Sequence, residues 1–350
     1  MDRPEVLGWL REARAERLEE LWRLADRVRR ESVGDEVHLR GLVEFSNHCR
    51  RTCAYCGMNA GHSGLVRYRM TAEEILDSAR QARGLGYGTV VLQSGEDPEL
   101  DPSWLAGVVR RIKGETGLAV TLGVGERGRE AYALWREAGA DRYLLRFETS
   151  NPELFARIHS GGDGSLEARL ERLRWLGDLG YEVGSGVMVG IPGQTFEDLA
   201  GDLEIFRKLD LDMIGIGPYL AHPDTPLGAQ AEAIRAATPG QAPADELTAN
   251  KMVALARIAC PRANLPATTA LATINRAEGR ENALRRGANV VMPNLTPVKY
   301  RALYEIYPAK ACIGETAAQC GECQHARIRR LGRRPGRGPG PSRRGRAARG

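Results

Sequence analysis

Residues 71–92, TAEEILDSARQARGLGYGTVVL, contain the repeating unit from which we predict the fold. Thr71 and Glu74 have the spacing of a helix capping box, and Gly84 lies where such a helix would end. The β-branched run at 89–92 then predicts a short buried strand. A helix that leads directly into a strand of this kind is typical of parallel sheets with right-handed crossovers.

This alternation continues along most of the chain. Eight apolar runs predict strands at 42–45, 89–92, 119–122, 143–146, 186–189, 213–216, 265–268 and 290–292. The amphipathic stretches between them predict helices near 71–84, 102–115, 128–138, 166–179, 195–209, 244–259 and 277–286. Eight such units favour an α/β fold that closes into a (β/α)8 barrel of the TIM type, over the alternative of an open doubly wound sheet.

The remaining segments flank the barrel. We predict an N-terminal helical segment at 1–40, with a helix over 5–32, the barrel at 41–300, and a cysteine-containing C-terminal extension at 301–326. Residues 327–350 contain ten Arg and no acid, so the net charge of +5 belongs to this tail and the rest of the chain is acidic. Because the tail has almost no apolar surface to bury, we expect it to be disordered.

Composition also limits the class of protein. The chain has no run of 18 apolar residues and begins with charged residues, so we expect no membrane span and a cytoplasmic address. Six of the seven cysteines fall into two groups of three, which argues against a disulfide framework. An RNA-binding protein that uses the basic tail is an alternative, and it predicts loss of function when 327–350 are deleted. The tail lacks aromatic residues for base stacking, so we do not expect nucleic acid as a partner.

The first group of cysteines follows the first predicted strand. Cys49, Cys53 and Cys56 are separated by three and two residues, which places three thiolates on one tight loop. Clusters that only transfer electrons are held by four thiolates, so three would leave one iron open to a ligand. A zinc site with His48 or His62 as the fourth ligand is the alternative.

This loop resembles the signature of the radical S-adenosylmethionine (SAM) superfamily, in which an aromatic residue, here Tyr55, precedes the third cysteine. The resemblance implies a 4Fe–4S cluster on Cys49, Cys53 and Cys56 as the catalytic and metal-binding group. It also implies that SAM is cleaved reductively to methionine and a 5′-deoxyadenosyl radical.

Candidate SAM contacts lie where the strands end, because barrel active sites are built there. Residues 94–96, Ser94-Gly95-Glu96, resemble the element whose backbone carbonyls hold the ammonium group of SAM. The other candidates lie in the cysteine motif, near strand ends or, for Arg169, in the helix after the fourth strand. They are Tyr55, Thr121, Gly123, Arg146, Glu148, Arg169 and Met188. Arg146 and Glu148 share one face of a strand, so a salt bridge at the barrel mouth is an alternative for this pair.

Five further segments resemble the HydE family of FeFe-hydrogenase maturases within that superfamily. They are YLLRFE (143–148), GSGVMVGIPGQT (184–195), DMIGIGPYLAHPDTPLG (212–228), LPATTAL (265–271) and RGANVVMPNLTP (286–297). Phe147 and Gly123 depart from the His and Ser of several family members. The resemblance implies a monomer that takes electrons from a donor, works with partner maturases and acts on an organometallic iron–cysteine complex.

By the same resemblance, the substrate cavity would be lined by Met213, Thr268, Thr269, Tyr304 and Tyr307. The alternative for the hydroxyl groups is that they satisfy buried backbone. Methylornithine synthase and biotin synthase, a carbon-skeleton mutase and a sulfur-inserting enzyme of the same branch, are the alternative functions.

The second group of cysteines is Cys312, Cys320 and Cys323. The resemblance implies a second iron–sulfur cluster here, 2Fe–2S or 4Fe–4S, and zinc with His325 is the alternative. Cys260 stands alone among apolar residues and is interpreted as a small buried hydrophobic side chain.

Overall fold

The computed structural model describes residues 1–159 and 164–343. Its strands are β1 Glu36–Ser46, β2 Thr89–Ser94, β3 Ala119–Gly123, β4 Arg142–Leu144, β5 Glu182–Val189, β6 Met213–Pro218, β7 Val290–Val291 and β8 Arg334–Pro335. Its helices are α1 Arg3–Arg11, α2 Ala15–Val33, α3 Ala72–Gly84, α4 Pro102–Thr116, α5 Arg129–Glu137, α6 Pro152–Ile158, α7 Leu166–Asp178, α8 Phe196–Leu209, α9 Pro226–Ala236, α10 Glu246–Ala259, α11 Thr269–Ile274, α12 Gly279–Arg285, α13 Val298–Arg301 and α14 Ala317–Arg330.

The strands form a parallel sheet in the order β6-β5-β4-β3-β2-β1-β7. Segment 264–266 closes the gap between the two ends of this sheet. Asn264 bridges to Met213 on β6, and Pro266 bridges to Val290 on β7, both in parallel orientation. The ring of strands is therefore complete, and the predicted barrel fold is confirmed.

The predicted strand at 265–268 is present only as these bridges. Pro266 has no N–H to donate to a ladder, and Thr268 already caps α11, so the segment is too short to form a regular strand. β1 begins at Glu36, inside the segment that we had assigned to the N-terminal helices. That segment holds two helices instead of one, because the backbone is extended at Glu12 and Arg14; Lys251 Nζ donates to the carbonyls of Leu10 and Glu12 where α1 ends.

Helix α4 illustrates how the sequence builds the outer layer. Asp101 accepts hydrogen bonds from the amides of Ser103 and Trp104, so the helix begins at Pro102. It ends at Gly117, which has a φ of 67°. The buried face of α4 consists of Leu105, Ala106, Val108, Val109, Ile112 and Thr116. In the described part of the chain, no helix is both long and apolar enough to span a bilayer.

The C-terminal strap, which we define as residues 334–340, closes the base of the barrel. It begins as β8, which pairs with the first residues of β1. The carbonyl of Pro339 accepts from Thr89 Oγ1 and Arg142 Nη2, each at 3.0 Å. The carbonyl of Gly340 accepts from Arg40 Nη2 at 3.0 Å and Asn264 Nδ2 at 3.2 Å.

This strap corrects the expectation that 327–350 is disordered. Residues 327–330 complete α14, and the strap follows with regular contacts, while 344–350 lie outside the described residues. The physical reason is that buried guanidinium groups need acceptors, and backbone carbonyls supply them regardless of side-chain hydrophobicity. Glycine permits the close approach, because a Cβ on Gly88 would lie 1.7 Å from the carbonyl oxygen of Gly338.

Candidate active site at the mouth of the barrel

The cysteine loop, residues 47–69, leaves β1 and covers the mouth of the barrel. Three backbone hydrogen bonds hold it to other mouth loops. The amide of Arg50 donates to the Glu96 carbonyl at 3.0 Å, that of Ala54 to Ile158 at 2.9 Å, and that of Gly57 to Ile306 at 2.9 Å. The loop is therefore fixed to the segments that follow β2, β4 and β7.

The three thiols of this loop are close enough to influence one another. None of them forms a disulfide. Burial raises the pKa of Cys49 and raises the pKa of Cys53 to about 12, and the charge on Cys49 is the next cause for Cys53. Burial and then the charge on Cys53 raise the pKa of Cys56. Buried thiols that disfavour one another's ionisation become stable thiolates when a metal centre neutralises them, which fits an iron–sulfur cluster.

The zinc alternative needs a histidine that joins the three thiols. His62 Nδ1 lies 2.7 Å from the Gly57 carbonyl, which leaves Nε2 as the ring nitrogen that could bind a metal. Among the described residues, no three His, Cys, Asp or Glu side chains converge on a point that could hold one metal ion. A four-iron cluster is wider than a single ion and does not need such convergence.

Residues 94–96 lie directly against the cysteine loop. A Cβ on Gly95 would lie 2.3 Å from the His48 carbonyl oxygen and 2.8 Å from Cys49 Cβ, so only glycine allows this approach. The Glu96 amide donates to Cys49 Sγ at 3.4 Å. Ser94 Oγ donates to the Gly95 carbonyl at 2.7 Å.

The Glu96 side chain is engaged by the protein. Its carboxylate accepts from Arg50 Nε at 3.1 Å, from Arg51, and from the Glu126 amide at 2.7 Å. Burial, the largest single contribution, opposes ionisation of Glu96, but the hydrogen bond from the Glu126 amide and then the charge of Arg51 lower the pKa of Glu96 below its usual value. Glu96 therefore fixes the cysteine loop to the loop after β3 through its side chain, and it holds Arg50 and Cys49 through its backbone.

Glu126 is a site residue that the sequence analysis missed. Its carboxylate is buried and accepts from Arg51 Nη2 at 2.7 Å and from Arg169 Nε. Arg169 also donates to the Arg146 carbonyl at 2.5 Å and lies over the Phe155 ring. The position of Glu126, just after Gly123 and the end of β3, is the signal that would have identified it.

Arg146 and Glu148 form the salt bridge that we had considered as the alternative. The pair is bidentate, with N–O distances of 2.8 and 2.9 Å, and Arg146 Nη2 also donates to the Val187 carbonyl at 2.7 Å. Glu148 has a φ of 64°, a left-handed backbone conformation that is uncommon for glutamate. Such strain occurs most often at ligand sites.

Tyr55 and Met188 pack against one apolar cluster below the cysteine loop, together with Tyr219 and Ile191. Burial raises the pKa of Tyr55 well above its usual range, and its ring meets His159 edge to face at 5.7 Å. Thr121 lies deeper, and its buried hydroxyl has no hydrogen-bond partner among the described residues. Gly123 is the last residue of β3, paired in register with Gln93.

Of the predicted substrate contacts, Thr268 forms the bond to buried backbone that we gave as the alternative. Its Oγ1 donates to the Ile216 carbonyl at 3.0 Å, and Thr269 begins α11 beside it. The Tyr304 hydroxyl accepts from Gln93 Nε2 at 3.2 Å.

Tyr307 belongs with the residues at the mouth. Burial and the charge on Glu44 raise the pKa of Tyr307. Met213 instead contacts Arg40 Nη1 at 2.9 Å through its sulfur. It therefore lies near the base of the barrel, away from the other candidates.

A second missed feature is the buried ion pair of Glu44 and Lys310. Glu44 is 1% exposed and contacts Lys310 Nζ, and Asn294 Nδ2 donates to it at 3.0 Å. Lys310 lies over the Tyr304 ring at 5.0 Å. An acid inside the apolar run at 42–45 is the signal that would have pointed to it.

Of the second cysteine group, Cys312 lines a cavity of about 680 Å³. Cys312 Sγ accepts from Arg280 Nη1 at 3.4 Å, and Cys323 Sγ on α14 accepts from Arg327 Nε at 3.3 Å. The side chain of Cys320 lies outside the described residues. Cys260 is a separate thiol at the end of α10, and burial raises its pKa to about 11.

Comparisons with known proteins agree with this geometry. Residues 43–206 match the family model described as the radical SAM superfamily. The FeFe-hydrogenase maturase subunit HydE of Thermotoga maritima is 51% identical over 319 residues, which is 91% of this chain and 87% of that protein. The 3-methylornithine synthase of Methanosarcina acetivorans is 29% identical over 278 residues, 79% of this chain and 74% of that protein. The crystal structure of methylornithine synthase (PylB) matches with a TM-score of 0.81 at 25% identity, over 96% of this chain and 94% of that chain.

Proposed function

The chain belongs to the radical SAM superfamily and, within it, to the HydE family of FeFe-hydrogenase maturases, and on this premise we propose that it cleaves SAM reductively during assembly of the hydrogenase diiron subcluster. The observation that carries the proposal is the group of three thiols without disulfides on the loop after β1, held against residues 94–96. An enzyme of this class needs three thiolates on one side of the cluster and a SAM site on the other.

Cys49, Cys53 and Cys56 would hold the 4Fe–4S cluster. When bound, this cluster supplies the electron that splits SAM into methionine and a 5′-deoxyadenosyl radical. The chain supplies no fourth cysteine in the described part of the loop, so one iron would be left for the amino and carboxylate groups of SAM.

The residues around this iron would orient SAM. The backbone of 94–96 would offer carbonyls to the ammonium group, and the Arg146–Glu148 pair would offer a guanidinium and a carboxylate. Arg169 would act through Glu126 and Arg146, because its Nε already donates to the Glu126 carboxylate and its Nη1 to the Arg146 carbonyl. Tyr55 and Met188 would enclose the apolar parts of SAM. Thr121 and Gly123 would contact SAM from β3.

The substrate would occupy the barrel interior below SAM. Thr269, Tyr304 and Tyr307 would offer hydroxyl donors to it, and Thr268 Oγ1, whose hydrogen goes to the Ile216 carbonyl, would act as an acceptor. Met213 would reach only the lower end of such a cavity. An organometallic iron–cysteine complex supplied by a partner maturase has the carboxylate and cyanide groups that such donors bind.

We also propose a second iron–sulfur cluster on Cys312, Cys320 and Cys323. Guanidinium groups donate to the sulfurs of Cys312 and Cys323, which supports a site for a negatively charged cluster. We further propose that the protein is a cytoplasmic monomer that receives electrons from a separate donor and works with partner maturases. The absence of disulfides among the described cysteines supports a reducing compartment.

Methylornithine synthase and biotin synthase chemistry is the second candidate. The identity of 29% to a 3-methylornithine synthase is well below the 51% to HydE, so the similarity favours the maturase. The two readings share SAM cleavage and differ in the substrate.

The experiment that tests the proposal uses the full-length chain, reconstituted anaerobically with iron and sulfide and reduced with dithionite. We expect release of 5′-deoxyadenosine from SAM, and no release above background from Cys53→Ala. Cys260→Ala is the matched control, because this thiol lies at the end of α10 and should leave the reaction intact. Failure of the intact protein to cleave SAM contradicts the proposal. Restoration of hydrogenase activity in a host that lacks this maturase, but not of methylornithine synthesis, separates the two candidates.

A further inference from the structure

His222 is a buried imidazole in the loop that follows β6. Its side chain is 3% exposed. The amide of Asp224 donates to His222 Nδ1 at 3.2 Å, so Nδ1 has no proton and the neutral ring holds its proton on Nε2. His222 therefore presents one N–H donor, at Nε2, to its surroundings.

That donor has no acceptor among the described residues. Nε2 is buried and makes no hydrogen bond. Buried N–H groups in folded proteins are nearly always paired, so an unpaired one in a fixed ring indicates an acceptor that the protein chain itself does not supply.

The ring is wedged against the cysteine loop. A Cβ on Gly57 would lie 2.5 Å from His222 Cδ2 and 2.6 Å from Nε2, so the ring contacts the residue that directly follows Cys56. The same position would lie 2.4 Å from the Glu305 carbonyl oxygen, but no hydrogen bond joins that oxygen to His222. The neighbouring His62 meets His222 edge to face at 5.9 Å and is itself bound to the Gly57 carbonyl.

We propose that His222 Nε2–H donates a hydrogen bond to a sulfur of the cluster on the Cys56 side, and that this bond raises the reduction potential of the cluster. The inference rests on the proposed function, since it needs the 4Fe–4S cluster on Cys49, Cys53 and Cys56. Reduction adds negative charge to the sulfurs, so a donor stabilises the reduced cluster more than the oxidised one. His222 is a positioning and tuning residue in this account, since it does not ligate iron.

The test compares reconstituted full-length variants by EPR-monitored redox titration. His222→Leu removes the donor, and we expect the ratio of reduced to oxidised cluster at a fixed potential to fall at least threefold. His222→Asn retains an N–H donor and should recover part of that loss. His62→Leu is the matched control, because His62 also borders Gly57 but its Nδ1–H is directed to the Gly57 carbonyl, which leaves no N–H for a sulfur; the potential of this variant should equal that of the wild type.

A second measurement covers the case in which His222→Leu does not hold its cluster. In the wild type labelled with ¹⁵N-histidine, pulsed EPR of the reduced cluster should detect a nitrogen coupling that persists in His62→Leu. An unchanged potential in a cluster-replete His222→Leu, or no histidine coupling in the wild type, overturns the inference. A wild-type protein that neither binds a cluster nor cleaves SAM contradicts the proposed function instead, so the two failures can be told apart.

Discussion

Glu126 is shared by three guanidinium groups beneath the cysteine loop. Arg51 and Arg169 contact it directly and Arg172 lies 3.6 Å away. Arg51 also contacts Glu96, so one buried network joins the cysteine loop, the loop after β2 and helix α7. Such a network stabilises the folded protein only when every charge is paired, because an unpaired buried charge lowers the free energy of unfolding.

We therefore expect Glu126→Gln to lower the free energy of unfolding by about 3 kcal/mol, because it leaves Arg169 without a carboxylate and Arg51 with that of Glu96 alone. Urea denaturation followed by circular dichroism measures this. Glu130→Gln, an exposed position in the first turn of α5, is the control and should change stability by less than about 0.5 kcal/mol. Equal stabilities of the two variants would show that Glu126 does not organise the mouth.

The pH dependence of stability should reflect His38 at the base of the barrel. Burial, followed by the charges of Arg40 and Arg142, lowers the pKa of His38 to about 4 from an ordinary value of 6.5. Between these values the unfolded chain binds a proton that the folded protein does not, so stability falls as the pH is lowered from 6.5 to 4. The stability lost through His38 is on the order of 2–3 kcal/mol.

The check is a comparison with His38→Gln, which has no titrating imidazole. The wild type should lose more stability than this variant between pH 6.5 and 4, and the two curves should run parallel above pH 7. Parallel curves across the whole range would mean that protonated His38 is accommodated in the folded state.

At the residue scale, motifs with fixed spacing could be predicted from the sequence, and contacts between side chains far apart in the chain could not. Cys49, Cys53, Cys56 and residues 94–96 follow from local spacing after predicted strands, and the structure brings them together. The Glu44–Lys310 pair joins positions 266 residues apart, so no local pattern could show it. Likewise, only the tertiary structure shows that His222 Nε2 is buried without a hydrogen-bond partner among the described residues.

At the scale of elements, the strands of the first six units were the most predictable. Continuous β-branched runs are typical of strands buried on both faces, and β1 to β6 lie where those runs were found. The C-terminal strap was not predictable from composition, because composition measures only the apolar surface that side chains can bury. The strap is held mainly through its backbone carbonyls.

We expect truncation after Arg333 to lower the free energy of unfolding by about 2–4 kcal/mol, because Arg40 and Arg142 lose charge-assisted hydrogen bonds. Hydrogen exchange should show faster exchange at the first residues of β1, which pair with β8. A truncation that removes only 344–350 keeps these contacts and should match the intact protein. If both truncations behave alike, the strap does not stabilise the base. The strap also means that loss of function on deleting 327–350 no longer indicates RNA binding.

At the scale of the whole molecule, the barrel is closed at both ends. The strap fills the base, and the cysteine loop covers the mouth, fixed by hydrogen bonds to three other loops. A radical generated between these two closures would be shielded from solvent, which suppresses side reactions. The second cysteine group lies outside this enclosure, on the extension that contains α14.

The two cysteine groups should therefore be separable by mutation. We expect Cys312→Ala/Cys320→Ala/Cys323→Ala to lower the iron content of the reconstituted protein by one cluster while the remaining cluster still responds to SAM. Iron and sulfide assays together with Mössbauer spectra measure this. An iron content equal to that of the wild type would exclude a second cluster at this position.

The central claim is that the cluster on Cys49, Cys53 and Cys56 has an iron that is open to SAM. Its most direct test is the EPR spectrum of the dithionite-reduced, reconstituted protein, recorded with and without SAM. We predict that SAM changes the g values of the 4Fe–4S signal, and that SAM labelled with ¹⁷O in its carboxylate broadens it. A reduced-cluster spectrum that is identical with and without SAM would contradict the account.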